Sequence, residues 1–141
     1  MIPIDPQLEE VARGDVPPQY AHVVGVSVSP NGRFAIVALT TNEGTAVELD
    51  ITVAERAEEL WESVSSGSMP YIVYVGDHRG AVLCDGPFGA GVDRVAVRDR
   101  SEEHEVPVEN GYFLYVAWKQ DLPGDDTTDP PMPELVSPAL P

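Results

Sequence analysis

The side chains best suited to hold a metal ion are the three histidines, because imidazole is a common ligand of transition metals. His78 lies beside Asp77, and His104 lies within the acidic run of residues 101–105. A zinc site needs three or four converging ligands, often at short fixed spacings, whereas these histidines fall in separate polar turns. Alternate residues of such turns generally face water. We therefore expect no metal site and no cofactor.

Cys84 is the only cysteine, and a single cysteine excludes both an internal disulfide and a multi-cysteine zinc site. It lies in an apolar segment in which Arg79 is the only nearby base. Burial in apolar surroundings raises the pKa of a thiol and makes it unreactive. We therefore expect a core cysteine in a reducing compartment, where free thiols persist.

Residues 86–91 form the glycine-rich run Gly-Pro-Phe-Gly-Ala-Gly. Phosphate-binding glycine loops carry a GxGxxG pattern or end in Lys-Ser/Thr, and a helix follows whose N-terminus faces the phosphate. This run has neither pattern, and a strand is predicted after it. We interpret it as a loop between strands, with Phe88 at its tip as a candidate contact for a partner. Because no set of acid, base and nucleophile is assembled, we expect the protein not to be an enzyme.

One amphipathic helix is predicted over residues 53–65, because apolar side chains recur there at helical spacing. Those side chains are Val53, Ala57, Leu60, Trp61 and Val64. Thr52 and Glu55 have the spacing of a capping box, which satisfies the free N–H groups at a helix start. The Ser-Gly-Ser run of residues 66–68 would end the helix.

The opposite face of this helix would carry four glutamates: Glu55, Glu58, Glu59 and Glu62. Only Arg56 opposes them, and like charges four residues apart on a helix repel. Residues 41–66 contain seven acids and one base, while residues 67–100 contain four acids and four arginines. The acid is therefore concentrated, and an electropositive partner would complement it. An ordinary solvated face is the alternative interpretation.

A second candidate surface is formed by Arg94, Arg98 and Arg100, whose even spacing places them on one face of a predicted strand. Asp93 and Asp99 lie beside them and weaken the positive field. The helix glutamates therefore remain the preferred binding surface.

The whole chain carries a formal net charge of −16 at pH 7. Recognition of nucleic acids and anionic membranes needs lysine and arginine, so we expect no direct binding to either. An acidic field attracts a basic protein over a long range at low salt. The alternative is that the acidity only keeps the protein soluble or reflects a high-salt habitat.

Outside the predicted helix, the sequence alternates with period two, and turn signals follow at short intervals. Residues 21–29 alternate in this way, and Ser-Pro-Asn-Gly at 29–32 predicts a turn. Residues 33–40 are apolar on both faces, which indicates a central strand covered on both sides. Seven or eight such strands predict an antiparallel β-sandwich or small barrel with one inserted helix near residues 53–65.

The clearest hairpin signal is Asn110-Gly111, the preferred residue pair for a type I′ turn. This turn would join strands at residues 106–109 and 112–118. Pro107 lacks an N–H donor and must lie at a sheet edge, so residues 112–118 are predicted to form the inner strand.

We expect one domain at residues 21–120, because a chain of about 100 residues can bury a stable core without disulfides. Residues 1–20 contain four prolines and are interpreted as an extended lead-in. Residues 121–141 contain six prolines and five acids, and are interpreted as an acidic tail draped over the domain through Leu135 and Val136. No segment approaches the roughly 20 apolar residues of a membrane span, and the N-terminus lacks the features of a signal peptide. We therefore expect a cytoplasmic protein.

Three segments of the sequence resemble known proteins. Residues 29–35, Ser-Pro-Asn-Gly-Arg-Phe-Ala, resemble the turn that opens a strand in β-propeller blades. A propeller needs about four to eight blades, and the run occurs once, so it implies only a hairpin turn. Residues 24–33 and 103–114 resemble segments of small actinobacterial β-rich proteins with no known activity. That resemblance covers under a quarter of the chain and implies a bacterial source, with no functional residues.

These observations favour a non-enzymatic acidic protein-binding domain, of the inhibitor or immunity type, that masks a basic partner. The binding residues would be the four glutamates of the predicted helix together with Phe88. The alternative is a structural or accessory module of a larger assembly, which docks through sheet edges and the proline-rich tail. A small-ligand-binding or enzymatic sandwich that uses the glycine-rich loop is a third interpretation.

Overall fold

The computed structural model describes residues 3–42, 47–67, 72–120 and 130–137. Over these residues the chain forms ten β-strands in three antiparallel sheets, together with a single α-helix. The prediction of a mainly β protein is therefore confirmed, and none of the described sheets closes into a barrel. The chain divides into two compact units, residues 1–69 and residues 70–141. No helix in the described ranges is long and apolar enough to cross a membrane.

Where the structure describes the first unit, the chain forms one four-stranded antiparallel sheet with one α-helix packed on it. Its elements are α1 (Pro6–Arg13), a 3-10 turn (Pro18–Tyr20), β1 (Ala21–Val28), β2 (Phe34–Thr41), β3 (Glu48–Ala57) and β4 (Leu60–Gly67). Each strand pairs with the next one along the chain, so the strand order is β1-β2-β3-β4.

Strand β2 is the central strand that the sequence predicts. All eight of its residues are buried, and it pairs with β1 on one side and β3 on the other. The predicted turn before it is also confirmed, because the Gly32 N–H donates to the Ser29 carbonyl at 2.8 Å. Gly32 has a φ of 74°, which costs glycine little because it has no Cβ.

Residues 6–13 form α1 instead of the extended lead-in that the sequence analysis expects. The Asp5 side chain accepts a hydrogen bond of 2.8 Å from the Gln7 N–H, which caps the helix. Pro6 lies at the start of the helix, where a missing N–H costs nothing. Leu8 and Ala12 are buried on the sheet and bring α1 into its core cluster. The sheet residues of that cluster are Ala35, Val37, Leu39, Ala54 and Trp61.

The predicted helix over residues 53–65 is wrong, because these residues lie in the antiparallel hairpin of β3 and β4. Glu58 and Glu59 form the turn, and Glu58 takes the left-handed conformation with a φ of 57°. Thr52, predicted to cap the helix, is buried in β3, and its hydroxyl donates to the Ala12 carbonyl of α1 at 3.4 Å. The helical spacing is overridden because β3 pairs with a strand on each side, and strand formation depends on such pairing.

The described residues of the second unit form two three-stranded antiparallel sheets. Its elements are β5 (Ile72–Val75), β6 (His78–Asp85), β7 (Arg94–Asp99), β8 (Glu102–Pro107), β9 (Phe113–Gln120) and β10 (Glu134–Ser137). The strand orders are β5-β6-β9 and β10-β7-β8. Both sheets contribute to one core cluster, whose buried members are Val95, Val97, Val106 and Phe113.

The predicted hairpin at residues 106–118 is right at its turn and wrong in its strands. Asn110 and Gly111 have φ values of 53° and 87°, the positive values that a type I′ turn requires. However, β8 pairs with β7, while β9 pairs with β6 along its whole length, so the two strands enter different sheets. Pro107 ends β8 at a sheet edge as expected, but β9 is an edge strand of its described sheet and not an inner one.

The acidic tail expected at residues 121–141 falls partly outside the described residues, which omit 121–129 and 138–141. Strand β10 lies at a sheet edge and pairs with β7, so that Leu135 stands opposite Val97. Leu135 also packs on the core cluster of the second unit, as the sequence analysis expects, whereas Val136 is exposed. The prolines before β10 are compatible with this position, because an edge strand can tolerate a missing N–H donor.

Candidate functional site

The four glutamates predicted to line a helix face lie at one end of the β3–β4 hairpin. Glu55 on β3 and Glu62 on β4 are direct cross-strand partners, and Glu58 and Glu59 form the turn between the strands. Glu55 is half-buried and the other three are exposed. We call these four residues the acidic hairpin. The sequence identified the residues, but the geometry that brings them together is a turn and not a helix.

Only one member of the acidic hairpin is neutralised by a neighbouring base. Arg33 lies 3.2 Å from the Glu55 carboxylate, which offsets the repulsion expected between like charges directly opposite on two strands. Within the described residues, Glu58, Glu59 and Glu62 make no ion pair. Three exposed carboxylates therefore have no ion-pair partner within the described residues.

Strand β4 is the edge of its sheet, since its only partner in the described part of the chain is β3. Residues 62–66 are all exposed, and so are the apolar side chains of Leu60 and Val64, at 61% and 52%. The strand contains a β-bulge at Val64, because Ser63 pairs with Ala54 while Ser65 pairs with the adjacent Val53. The acidic hairpin is thus continuous with an open strand edge.

One position of this edge is occupied by a side chain of α1. The Trp61 N–H donates to Gln7 Oε1 at 2.7 Å, and Gln7 Nε2 donates to the Trp61 carbonyl at 2.9 Å. A residue on a neighbouring antiparallel strand would make the same pair of bonds. Gln7 cannot be identified from the sequence, because an isolated glutamine in an expected lead-in gives no signal of this role.

Phe88 belongs to the second unit and is half-buried, so it does not stand at an exposed loop tip. Its ring packs against Phe113 with 5.9 Å between the ring centroids, and its N–H donates to the Gly111 carbonyl at 2.8 Å. Gly86 approaches the same turn closely: a Cβ on it would lie 2.4 Å from the Gly111 carbonyl oxygen. The glycine-rich loop is therefore fixed against the Asn110-Gly111 turn.

An open cleft of about 480 Å³ lies where this loop meets that turn. Phe88, Val92 and Val108 line the cleft, and Asp93 supplies the one carboxylate among its described lining residues. Such a cleft offers apolar contact, and the Asp93 carboxylate can accept from a cationic or hydrogen-bonding group. It contains no pairing of a nucleophile with a base.

Cys84 is buried in β6, and desolvation raises the pKa of its thiol to about 12. The thiol is therefore protonated at neutral pH, which confirms the expectation of a buried core cysteine. Nucleophilic attack and metal binding both need the thiolate.

The histidines are placed on strands and not in the polar turns expected from the sequence. His78 is the first residue of β6 and is buried, with its Nδ1 2.8 Å from Asp77 Oδ1. Hydrogen bonds from Gln120 and from His78 lower the pKa of Asp77. His104 lies on β8 and stacks on the Tyr115 ring. Across the described ranges, no group of three or more His, Cys, Asp or Glu side chains is placed to hold a metal ion.

The arginines proposed as a second surface are paired within their own sheet. Arg94 lies 3.0 Å from the Glu105 carboxylate and Arg98 lies 3.3 Å from that of Glu103, both across the β7–β8 pair. Arg100 lies in the turn that follows β7 and contacts Asp99 at 3.3 Å. These pairs cancel the local charge, in contrast to the acidic hairpin.

A half-buried polar contact connects the two sheets of the second unit. The Tyr115 hydroxyl of β9 donates to Asp99 Oδ2 of β7 at 2.7 Å. Burial and this contact with Asp99 raise the pKa of Tyr115. The sequence gives no indication of the pair, whose members are 16 residues apart on strands of different sheets.

No protein-family model, curated protein or solved structure matches this chain. The residues described above are therefore the basis on which its function is inferred.

Proposed function

We propose that this protein is a non-enzymatic, acidic protein-binding module that masks a basic surface of its partner, in the manner of an inhibitor or immunity protein. The observation that carries the proposal is the set of exposed carboxylates at Glu58, Glu59 and Glu62, which make no ion pair within the described residues. The exposed Arg94 and Arg98 of the second unit, by contrast, face glutamates across a strand pair. The acidic hairpin is therefore the surface at which electrostatic attraction should stabilise a basic partner most.

The electrostatics of the whole chain support the same proposal. A net charge of −16 attracts a basic protein before contact and raises the association rate at low salt. The Debye length is about 8 Å at physiological ionic strength, so this attraction weakens as salt is added. Binding by the acidic hairpin should therefore depend strongly on ionic strength.

The state of Cys84 supports a non-enzymatic function, since its buried thiol has a pKa of about 12 and stays protonated. The free cysteine also agrees with the proposed location in the bacterial cytoplasm, where thiols remain reduced. We further propose that the second unit is a small two-sheet sandwich. The shared core cluster of its two sheets supports this arrangement.

A second candidate function is that of an accessory module in a larger assembly. It is favoured by two exposed apolar side chains. Met132 lies just before β10 and is 41% exposed, and Val136 lies in β10 and is 36% exposed. Replacement of both by serine would abolish assembly in this case and would leave binding by the acidic hairpin intact. The backbone of β10 is already paired with β7, which makes this segment less suitable as a free docking arm.

The experiment that tests the main proposal is affinity capture of the partner with a charge-reversed variant, Glu58→Lys, Glu59→Lys and Glu62→Lys. We expect the wild type to retain a basic protein at low salt and to release it at high salt, and we expect the variant to retain none. The matched control is Glu10→Lys, Asp15→Lys and Glu48→Lys, which changes the net charge equally at exposed sites elsewhere that make no ion pair within the described residues.

The control should retain the partner, and all three proteins should melt at the same temperature because the substituted side chains are exposed. If the acidic-hairpin variant captures the partner as well as the control does, the acidic hairpin is not the binding surface. If binding is equally weak in both variants, only the net charge matters.

A further inference from the structure

We infer that the outer edge of β4 receives an extended, basic segment of the partner protein as an additional strand of the first sheet. The inference rests on the proposed function and specifies the shape and backbone chemistry of the segment that binds. Partners that add a strand to a sheet edge gain affinity from main-chain hydrogen bonds and specificity from alternate side chains.

The direction of the backbone groups at this edge follows from two independent contacts. The Arg56 N–H of β3 donates to the Arg33 carbonyl at 2.7 Å, so it points toward β2 and away from β4. Trp61, the cross-strand partner of Arg56, uses its own N–H and carbonyl to bond Gln7 on the other side of β4. The backbone groups of Trp61 therefore face outward from the sheet.

The same reasoning identifies two further outward positions. Backbone groups alternate in direction along a strand, so Ala54 and Thr52 also point toward β2. Their partners on β4 are Ser63 and Ser66, whose N–H and carbonyl groups consequently face outward. Both serines are exposed. The edge thus offers one position filled by Gln7 and two positions open to an added strand.

Gln7 also fixes where an added strand can begin. Because its amide occupies the outward groups of Trp61, the first open position is Ser63 and the added strand extends from there along β4. Sheet edges are commonly protected by lysine, proline or a bulge. Strand β4 has a bulge at Val64, but its sequence Leu-Trp-Glu-Ser-Val-Ser-Ser-Gly contains neither lysine nor proline.

The charge and side chains beside this edge select a basic occupant. Glu62 lies on the strand itself, and Glu58 and Glu59 lie in the turn before it, so an incoming lysine or arginine is favoured. The exposed Leu60 and Val64 offer apolar contact next to these acids. A second copy of this chain is disfavoured because each copy carries a net charge of −16. The structure therefore favours an extended partner segment whose basic residues lie on the same face of the sheet as Glu62.

The test uses an eight-residue peptide of alternating lysine and valine, titrated into the full-length protein while amide hydrogen exchange is measured at Ser63 and Ser66. We expect the bound peptide to slow exchange of both amides. The blocking variant is Ser63→Pro with Ser66→Pro, which removes the two outward N–H groups and leaves the ladder to β3 intact. The matched control is Ser63→Ala with Ser66→Ala, which keeps both N–H groups.

Each such hydrogen bond contributes about 0.5–1.5 kcal/mol. Because the proline variant loses two of them, it should bind the peptide about 5- to 150-fold more weakly than the alanine variant. Equal affinity of the two variants, or no protection of Ser63 in the complex, would overturn strand addition and leave binding of a basic partner standing. No binding of the peptide by the wild type would also overturn it, whereas failure of the proposed function is detected separately by capture with the charge-reversed variant. Salt-resistant dimers of the wild type that the proline variant abolishes would show that the occupant is a second copy.

Discussion

Replacement of Gln7 by methionine should measure how much the contact between α1 and the β4 edge stabilises the first unit. Methionine has a similar length and helix propensity, but it can neither accept from the Trp61 N–H nor donate to the Trp61 carbonyl. Each bond is worth about 0.5–1.5 kcal/mol net, so the loss of both predicts destabilisation of about 1–3 kcal/mol. Trp61 is only 6% exposed, so water replaces the lost partners poorly and the upper half of this range is expected.

The assay is urea unfolding followed by far-UV circular dichroism, together with exchange of the Trp61 amide in the native state. The matched control is Gln19→Met, which changes an exposed glutamine in the 3-10 turn. We expect the control to unfold at the urea concentration of the wild type and the Gln7 variant to unfold earlier, with faster exchange at Trp61. Equal stability of the two variants, with unchanged exchange at Trp61, would refute the argument that Gln7 takes the place of a neighbouring strand.

Two further predictions concern the second unit. Gly86→Ala should lower the free energy of unfolding by about 2 kcal/mol or more, because the residue has a φ of 149° and an added Cβ would lie 2.4 Å from the Gly111 carbonyl oxygen. The control is Gly89→Ala, whose Cβ meets nothing within 4 Å and should change the free energy little. Equal destabilisation of the two variants in equilibrium unfolding would contradict the reasoning. Tyr115→Phe should cost about 1.5–3 kcal/mol near neutral pH, because the hydroxyl donates to the Asp99 carboxylate. Folding raises the pKa of Tyr115. The wild type should therefore be more stable than the variant below the unfolded tyrosine pKa of about 10, and this difference in the free energy of unfolding should shrink as the pH rises further. A difference that stays constant up to pH 11 would refute the assignment.

The sequence predicts an element well where local turn chemistry and hydrophobic pattern agree. The 29–32 turn and β2 are such a case, because Gly32 supplies the positive φ and the strand after it is apolar on both faces. Helix α1 was also predictable in principle. Its spacing of Leu8, Val11 and Ala12, with Asp5 before it and Gly14 after it, is that of a short capped helix. The prolines nearby favoured the extended interpretation, although proline is well accommodated where a helix begins.

Long-range pairing decided the elements that the sequence analysis assigned incorrectly. The residues of β3 and β4 fit a helical stripe as well as a hairpin, and only the ladder to β2 distinguishes the two. The Asn110-Gly111 turn forms as predicted, yet β9 joins β6, to which it pairs over eight residues. The acidic hairpin itself could be predicted as a concentration of charge. The open edge beside it could not, because an edge is a property of the assembled sheet.

The hydrogen bonds between Gln7 and Trp61 also affect how the strand edge is protected while the chain is being synthesised. The two residues are 54 positions apart, and synthesis proceeds from the N-terminus, so α1 has left the ribosome before β4 emerges. The exposed backbone of β4 therefore meets its covering side chain as soon as the hairpin closes. An N-terminal truncation that removes α1 should consequently leave the Trp61 backbone groups uncovered from the moment the hairpin closes, and the Trp61 amide should exchange faster.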